Sequence, residues 1–174
     1  MTIVFVVIAE HGQAIEDAKA SSSLLSSTSL PTELPTEAVG KAVFEGETAQ
    51  IEARLVVSSD SAPQVGVLFD LAAGWHIYWR NPGDTGLAAS LNIEATGYRV
   101  GPIAWPAPEV FEEADGLFTT YGYQDRVLLS VPLEAVTNAS QAELISANPR
   151  VLVCRTECVP ASFSLASPID ASLP

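Results

Sequence analysis

The sequence predicts an all-β fold, a two-sheet β-sandwich of immunoglobulin type. Apolar residues recur at every second position in four runs: Ile51, Ala53, Leu55, Val57; Val65, Val67, Phe69, Leu71; Val127, Leu129, Val131, Leu133; and Val159, Ala161, Phe163, Leu165. A period of two marks strands with one buried face. Turn-forming clusters such as SSDSAP, NPGDTG and NPR lie between the runs. No stretch of about 10 residues carries the apolar stripe of a helix. About seven to nine short strands are expected, and each half-buried sheet needs a partner for its apolar face, which a sandwich supplies.

The composition agrees with one folded domain. Of the 174 residues 48% are hydrophobic and 17% charged, which excludes a chain disordered throughout. Eight Lys and Arg against 21 Asp and Glu give a net charge of −13, so a nucleic-acid polyanion is repelled and no nucleic acid is expected as a partner.

In chain order, the apolar run IVFVVIA at residues 3–9 is far short of the roughly 20 residues that cross a bilayer. It reads as the remnant of an export signal, with small-x-small sites at Gly12–Ala14 and Ala18–Ala20 but no preceding positive charge; the alternative is an N-terminal strand or a loose tail. The Ser-, Thr- and Pro-rich stretch ASSSLLSSTSLPTELPT lacks any usable period and reads as a flexible leader. Residues 1–36 are thus assigned to signal remnant and leader, and 37–174 to the sandwich domain. NPGDTG at 81–86 reads as tight-turn chemistry rather than a cation loop built on Asp84. The segment WPAPEVFEEADGLFTTYGY at 105–123 is a candidate functional loop. Trp75, Trp79 and Trp105 are assigned to packing rather than to a sugar platform. Nothing resembles a hydrolase triad or nucleophile elbow.

The only two cysteines, Cys154 and Cys158, stand in VLVCRTECVPASFSL. If one strand ends at Cys154 and the next begins at Cys158, RTE forms a three-residue hairpin loop and the cysteines face each other. Opposed Cα atoms about 4.5–5.5 Å apart fall within the range of about 4.4–6.8 Å that a disulfide accepts. A bridge closing so short a loop removes only roughly 2 kcal/mol of unfolded-state entropy, against about 4.7 kcal/mol for a 100-residue loop, so it is a weak staple. The pair is also too close in sequence to join two sheets. Arg155 favours a thiolate at Cys154 while Glu157 opposes one at Cys158. Spacing alone leaves three readings open: a redox-active pair, a small structural disulfide, and a metal site, the last short of ligands because His11 and His76 are the only imidazoles.

With three other stretches, the cysteine hairpin resembles a known family, the N-terminal periplasmic domain of the thiol–disulfide interchange protein DsbD and the related ScsB-type proteins. The matching pieces are GWHIYWRNPGDTG at 74–86, WPAPEVF at 105–111, YGYQDRVLLSVPL at 121–133 and VLVCRTECVP at 151–160. The resemblance implies an immunoglobulin-like sandwich with an inserted cysteine hairpin as its active site, in the periplasm, working without a cofactor. It implies a thioredoxin-like domain or protein as electron donor and oxidised periplasmic thiol proteins as acceptors. A membrane-embedded domain of the same full-length protein is also implied, and this chain holds none.

By the same resemblance Cys158 matches the cysteine that forms mixed disulfides with partners, and Cys154 the one that resolves them. His76 and Tyr78 fall where the family places aromatic side chains beside the cysteines, and Phe118, in ADGLF, falls where a cap loop covers the disulfide. Glu112, Glu113 and Asp115 fall where family members carry carboxylates able to exchange protons with the thiols, although a solvated acidic loop is the favoured reading of them. The best-known member has five residues between its cysteines and this chain three, a departure expected of the ScsB-type branch that bears on cap geometry and redox potential. Two rivals to an exchange domain are a non-catalytic sandwich module with an inert disulfide, and a copper-handling domain using both thiolates, which the ScsB-type likeness suggests through copper tolerance.

Overall fold

The alternating runs become strands, interrupted at Phe163 and Ser164, and every residue the period-two pattern selects is buried except Val159. The structure, a computed structural model, describes residues 5–6, 38–58, 63–136 and 144–168. In chain order the strands are β1 (Phe5–Val6), β2 (Val39–Glu45), β3 (Thr48–Ser58), β4 (Gln64–Leu71), β5 (His76–Gly83), β6 (Ile93–Ala95) and β7 (Tyr98–Val100). They continue with β8 (Glu109–Glu113), β9 (Phe118–Gln124), β10 (Arg126–Ala135), β11 (Leu144–Ala147), β12 (Arg150–Cys154), β13 (Cys158–Ser162) and β14 (Leu165–Pro168). The described residues contain no α-helix, as the sequence predicts. Apart from Phe5–Val6, which pairs with the end of β3, the assignment of residues 1–36 to a signal remnant and leader falls outside the described residues.

The strands form three hydrogen-bonded sheets. One has six strands in the order β1-β3-β4-β10-β7 with β2 also on β3, one has five in the order β13-β12-β5-β9-β8, and one has three in the order β14-β11-β6. A single core unites them. Ile51, Leu55, Val65, Val67, Phe69, Val127 and Leu129 from the large sheet meet Ile77, Tyr123, Val151 and Val153 from the five-stranded sheet and Ile145, Ala147 and Leu165 from the small one. The two-layer sandwich therefore holds, with its second layer divided between two sheets.

That division has a visible cause in the C-terminal ribbon. The fourth apolar run, Val159 to Leu165, reads as one strand, but the chain breaks pairing at Phe163 and Ser164 and continues in a different sheet. Opposite the break stands Pro149, which has no N–H to give to a ladder. Its carbonyl accepts the Phe163 N–H at 3.0 Å, and the Asn148 N–H turns to the carbonyls of Leu91 and Asn92, both at 3.1 Å. Phe163 swings into the core against Phe69, with ring centroids 6.3 Å apart, and lies over Gly40. Val159 stays partly exposed, outside the core its period had suggested. Register is nevertheless continuous across the break: Ala147 opposes Leu165, Arg150 opposes Ser162, and Cys154 opposes Cys158.

Segment 105–123 is a hairpin rather than a loop, β8 and β9 joined by a turn in which Ala114, Asp115 and Gly116 all have positive φ. NPGDTG is only in part a turn. Asn81 to Gly83 remain in β5, beyond a register shift that falls between Tyr78 and Gly83 in the pairing with β9, and the chain bends at Asp84 and Thr85. Asp84 is held by the Thr119 N–H, which donates to its carboxylate at 2.9 Å.

Gly122 is required where β8, β9 and β5 converge. A Cβ there would stand 2.2 Å from the Ile77 carbonyl oxygen and 3.3 Å from the Phe111 ring. Gly122→Ala is expected to destabilise the domain by about 1–3 kcal/mol through overpacking, seen as a lowered urea midpoint at unchanged m-value.

Candidate functional site

Pairing of three strands assembles the site. Cys154, last in β12, stands opposite Cys158 on one side and opposite His76 of β5 on the other. The cysteines are disulfide-bonded, with Cα atoms 4.1 Å apart. Their surroundings differ sharply: Cys154 is 2% exposed, whereas Cys158 is solvent-exposed. His76 and Tyr78, two apart in β5, share the face that Cys154 occupies.

Tyr78 is the residue that reaches the sulfurs. Its hydroxyl lies 3.2 Å from Cys154 Sγ and 3.8 Å from Cys158 Sγ. It also lies 3.2 Å from Glu113 Oε1, so one hydroxyl proton has a sulfur and a carboxylate as competing acceptors. Gly86 sets the ring's position, because a Cβ at that residue would come within 2.5 Å of it. Burial, and then the neighbouring Glu113 carboxylate, push the Tyr78 phenol up to about 12. It therefore remains a proton-bearing donor at all ordinary pH.

Glu113 is the centre of the polar network. The Thr85 hydroxyl donates to its Oε2 at 2.9 Å and the Thr120 hydroxyl to its Oε1 at 2.9 Å. Burial pushes the carboxyl up, but the hydroxyls of Thr120, Thr85 and Tyr78 and the nearby His76 imidazole outweigh it, so it lies below its ordinary 4.5. The carboxylate form is the resident one at neutral pH.

His76 is 8% exposed. Its ring stacks on Phe111, with centroids 4.9 Å apart, and meets Tyr78 edge-on at 5.1 Å. Nε2 lies 3.4 Å from Glu113 Oε1 but makes no aligned hydrogen bond, so the contact is one of charge. Burial holds the imidazole below its ordinary 6.5, with Glu113 pulling the other way.

The residues expected to flank the cysteines sort as follows. His76 lies across from Cys154 in the ladder, and the Tyr78 hydroxyl approaches both sulfurs. Phe118 opens β9 directly across from Glu113 and is 37% exposed, on the rim of the site. Of the three acidic residues, Glu112 and Asp115 are solvated as expected, but Glu113 is not: it is drawn into the site by three hydroxyls. Thr85 and Thr120 escaped notice in the sequence, as did the stacking role of Phe111. In EVFEE a strand period puts Phe111 and Glu113 on one face and Val110 and Glu112 on the other, which is the pattern that would have found Phe111 and Glu113; no local signal marks the two threonines.

The Arg155 side chain, beside Cys154 in sequence, has partners outside the cysteine pair. Its guanidinium pairs with Glu45 and sits 5.0 Å from the centre of the Trp75 ring, pinning the RTE loop to the end of the large sheet. Trp79 lies under Arg80 and meets Tyr121 edge-on, in keeping with a packing role. Among the described residues, no group of three or more His, Cys, Asp or Glu side chains is arranged to hold a metal ion, and no helix is long and apolar enough to cross a membrane.

Residues 41–168 match the family model of the N-terminal region of the thiol:disulfide interchange protein DsbD. The chain belongs to the DsbD N-terminal family. Among solved structures it is similar to the N-terminal periplasmic domain of ScsB from Proteus mirabilis, at 23% identity and a TM-score of 0.56, over 75% of this chain and 51% of that one. The chain thus spans about half of that ScsB domain. It also matches the reduced N-terminal domain of DsbD from Neisseria meningitidis, at 14% identity and a TM-score of 0.42, over 68% of this chain and 90% of that one. Among curated proteins none matches. The matched region contains both cysteines, paired as the Cys154–Cys158 disulfide.

Because Glu113 titrates below 4.5 in the folded chain, its contribution to stability is complete above 4.5 and is lost as pH falls through the lower folded value. Glu113→Gln removes that contribution. Urea denaturation across a pH series should show the variant less stable than the parent at neutral pH, with the gap closing on acidification.

Proposed function

We propose that this domain relays electrons outside the cytoplasm, cycling Cys154 and Cys158 between disulfide and dithiol, with Cys158 meeting partner proteins and Cys154 resolving the mixed disulfides. The observation that carries the reading is the asymmetry of the bond: an exposed residue, Cys158, joined to a buried one, Cys154, whose sulfur has a phenolic hydroxyl 3.2 Å away. A partner thiolate attacks Cys158 Sγ, a new disulfide forms between partner and Cys158, and the bonding pair leaves on Cys154 Sγ. Tyr78 then donates its hydrogen bond to the departing sulfur, which is worth more to a thiolate than to a disulfide. The donor's second thiolate then attacks the donor sulfur of the mixed disulfide and releases Cys158 as a thiolate, leaving the dithiol. Cys158 next attacks the disulfide of an oxidised acceptor, and Cys154 attacks Cys158 Sγ to close the bond and release the acceptor reduced.

The donor in this reading is a thioredoxin-like domain or protein and the acceptors are oxidised periplasmic thiol proteins. A periplasmic location accords with the likeness to the ScsB N-terminal domain from Proteus mirabilis, which is periplasmic. A membrane domain elsewhere in a longer protein would supply the electrons. Phe118, at the rim, is the residue that shields the disulfide between encounters.

Two measurements test this. Equilibration with glutathione buffers should give a reduction potential above about −300 mV; a lower value, with no exchange with a thioredoxin-like protein, identifies an inert structural bond. Cys154→Ser should accumulate a mixed disulfide through Cys158, and Cys158→Ser should not.

A further inference from the structure

The exchange steps above use both sulfurs, Tyr78 and, through it, Glu113, but leave His76 without a task. His76 is the direct cross-strand neighbour of Cys154, and side chains so paired have Cβ atoms about 4.5–5.5 Å apart. A stacked, buried ring at this position needs only to be aromatic; an imidazole leaves Nε2 without a hydrogen-bond partner, at a cost that plain packing does not explain.

The groups that face His76 are few. From its own strand comes Tyr78, from β12 comes Cys154, and from β8 comes Glu113 at 3.4 Å. Gln124 of β9 is its other cross-strand neighbour and bonds the exposed Glu109 at 2.7 Å. The cations adjacent in sequence are engaged elsewhere: Arg155 with Glu45 and Trp75, and Arg80 with Trp79. When the disulfide opens, a second negative charge therefore arises close to Glu113, both groups lying 3.2 Å from the Tyr78 hydroxyl, and among the described residues no Lys or Arg is paired with Glu113.

We propose that His76 is the proton acceptor coupled to opening of the disulfide, becoming an imidazolium as Cys154 is released as a thiolate. The inference rests on the exchange reading and adds to it the fate of the proton. Atoms and charges balance. The partner thiolate bonds to Cys158 Sγ, the Cys154–Cys158 bond breaks with its electron pair on Cys154 Sγ, and one proton passes from water to His76. When Cys154 attacks back and the disulfide closes, the proton returns to water. In the closed form burial keeps the ring neutral; in the open form thiolate and carboxylate together hold the proton on it. His76 thus acts through charge on the sulfur it faces, as a positioning residue, and stabilises Cys154 as a leaving group.

The test needs no partner protein. His11 is the only other histidine, so His11→Gln leaves a single imidazole whose NMR titration can be followed in the disulfide form and after reduction by dithiothreitol. His76 is expected to bind its proton at least about tenfold more tightly in the reduced form. Coupling is reciprocal, so in Cys158→Ser, where Cys154 is the one thiol, adding His76→Gln should weaken Cys154 thiolate formation by the same factor, read by thiolate ultraviolet absorbance. Equal His76 titration in the two redox states overturns the proposal, as does a Cys154 titration that His76→Gln leaves unmoved. Neither result depends on whether the disulfide exchanges with a thioredoxin-like protein, so failure of the exchange reading would be seen separately.

Discussion

The antiparallel register of the C-terminal ribbon is the constraint on which the site depends. It runs from Leu144 opposite Pro168 to Cys154 opposite Cys158 without a slipped residue, although the ribbon changes sheets on the way. A slip of one residue turns every side chain to the other face, and here it would part the cysteines and carry Val151 and Val153 out of the core. Burial of those two valines, at 5% and 0% exposure, therefore fixes where the sulfurs meet. The disulfide inherits its geometry from the fold and is not asked to create it, consistent with the small loop it closes.

The half-buried Glu113 carboxylate imposes a second constraint. A charge taken out of water must find donors or be neutralised, and Glu113 finds three hydroxyls contributed by β5, β9 and the bend that follows β5. Satisfying it ties the β8–β9 hairpin to β5 within the five-stranded sheet. Phe111 is thereby laid on His76, and Gly122 permits the approach. The carboxylate in turn keeps the Tyr78 phenol protonated, so one electrostatic arrangement serves both stability and the chemistry at the sulfurs.

Much of the fold was legible because period two is a local signal. The runs at 51–57, 65–71 and 127–133 appear as β3, β4 and β10 with their alternate residues buried. The run at 159–165 failed as one strand because its break depends on Pro149, which lies 14 residues before Phe163 and acts on it only through pairing. Segment 105–123 looked like a loop because β8 carries three glutamates among its five residues, and what makes those residues a strand is the pairing with β9. Glu113 was misjudged for the same reason. Its sequence neighbours are acidic and solvated, while the groups that bind it come from residues 78, 85 and 120.

The sequence by itself determined the all-β class, the strands with a buried face, the cysteine hairpin and its opposed pair, because each follows from the period and spacing of residues close together in the chain. The tertiary structure alone decided which cysteine is buried, where Arg155 spends its charge, and that Glu113 rather than its neighbours joins Tyr78 and His76 at the sulfurs. Burial and Coulomb interactions act through space, and the space around Cys154 is made by strands 30 and more residues away in the chain.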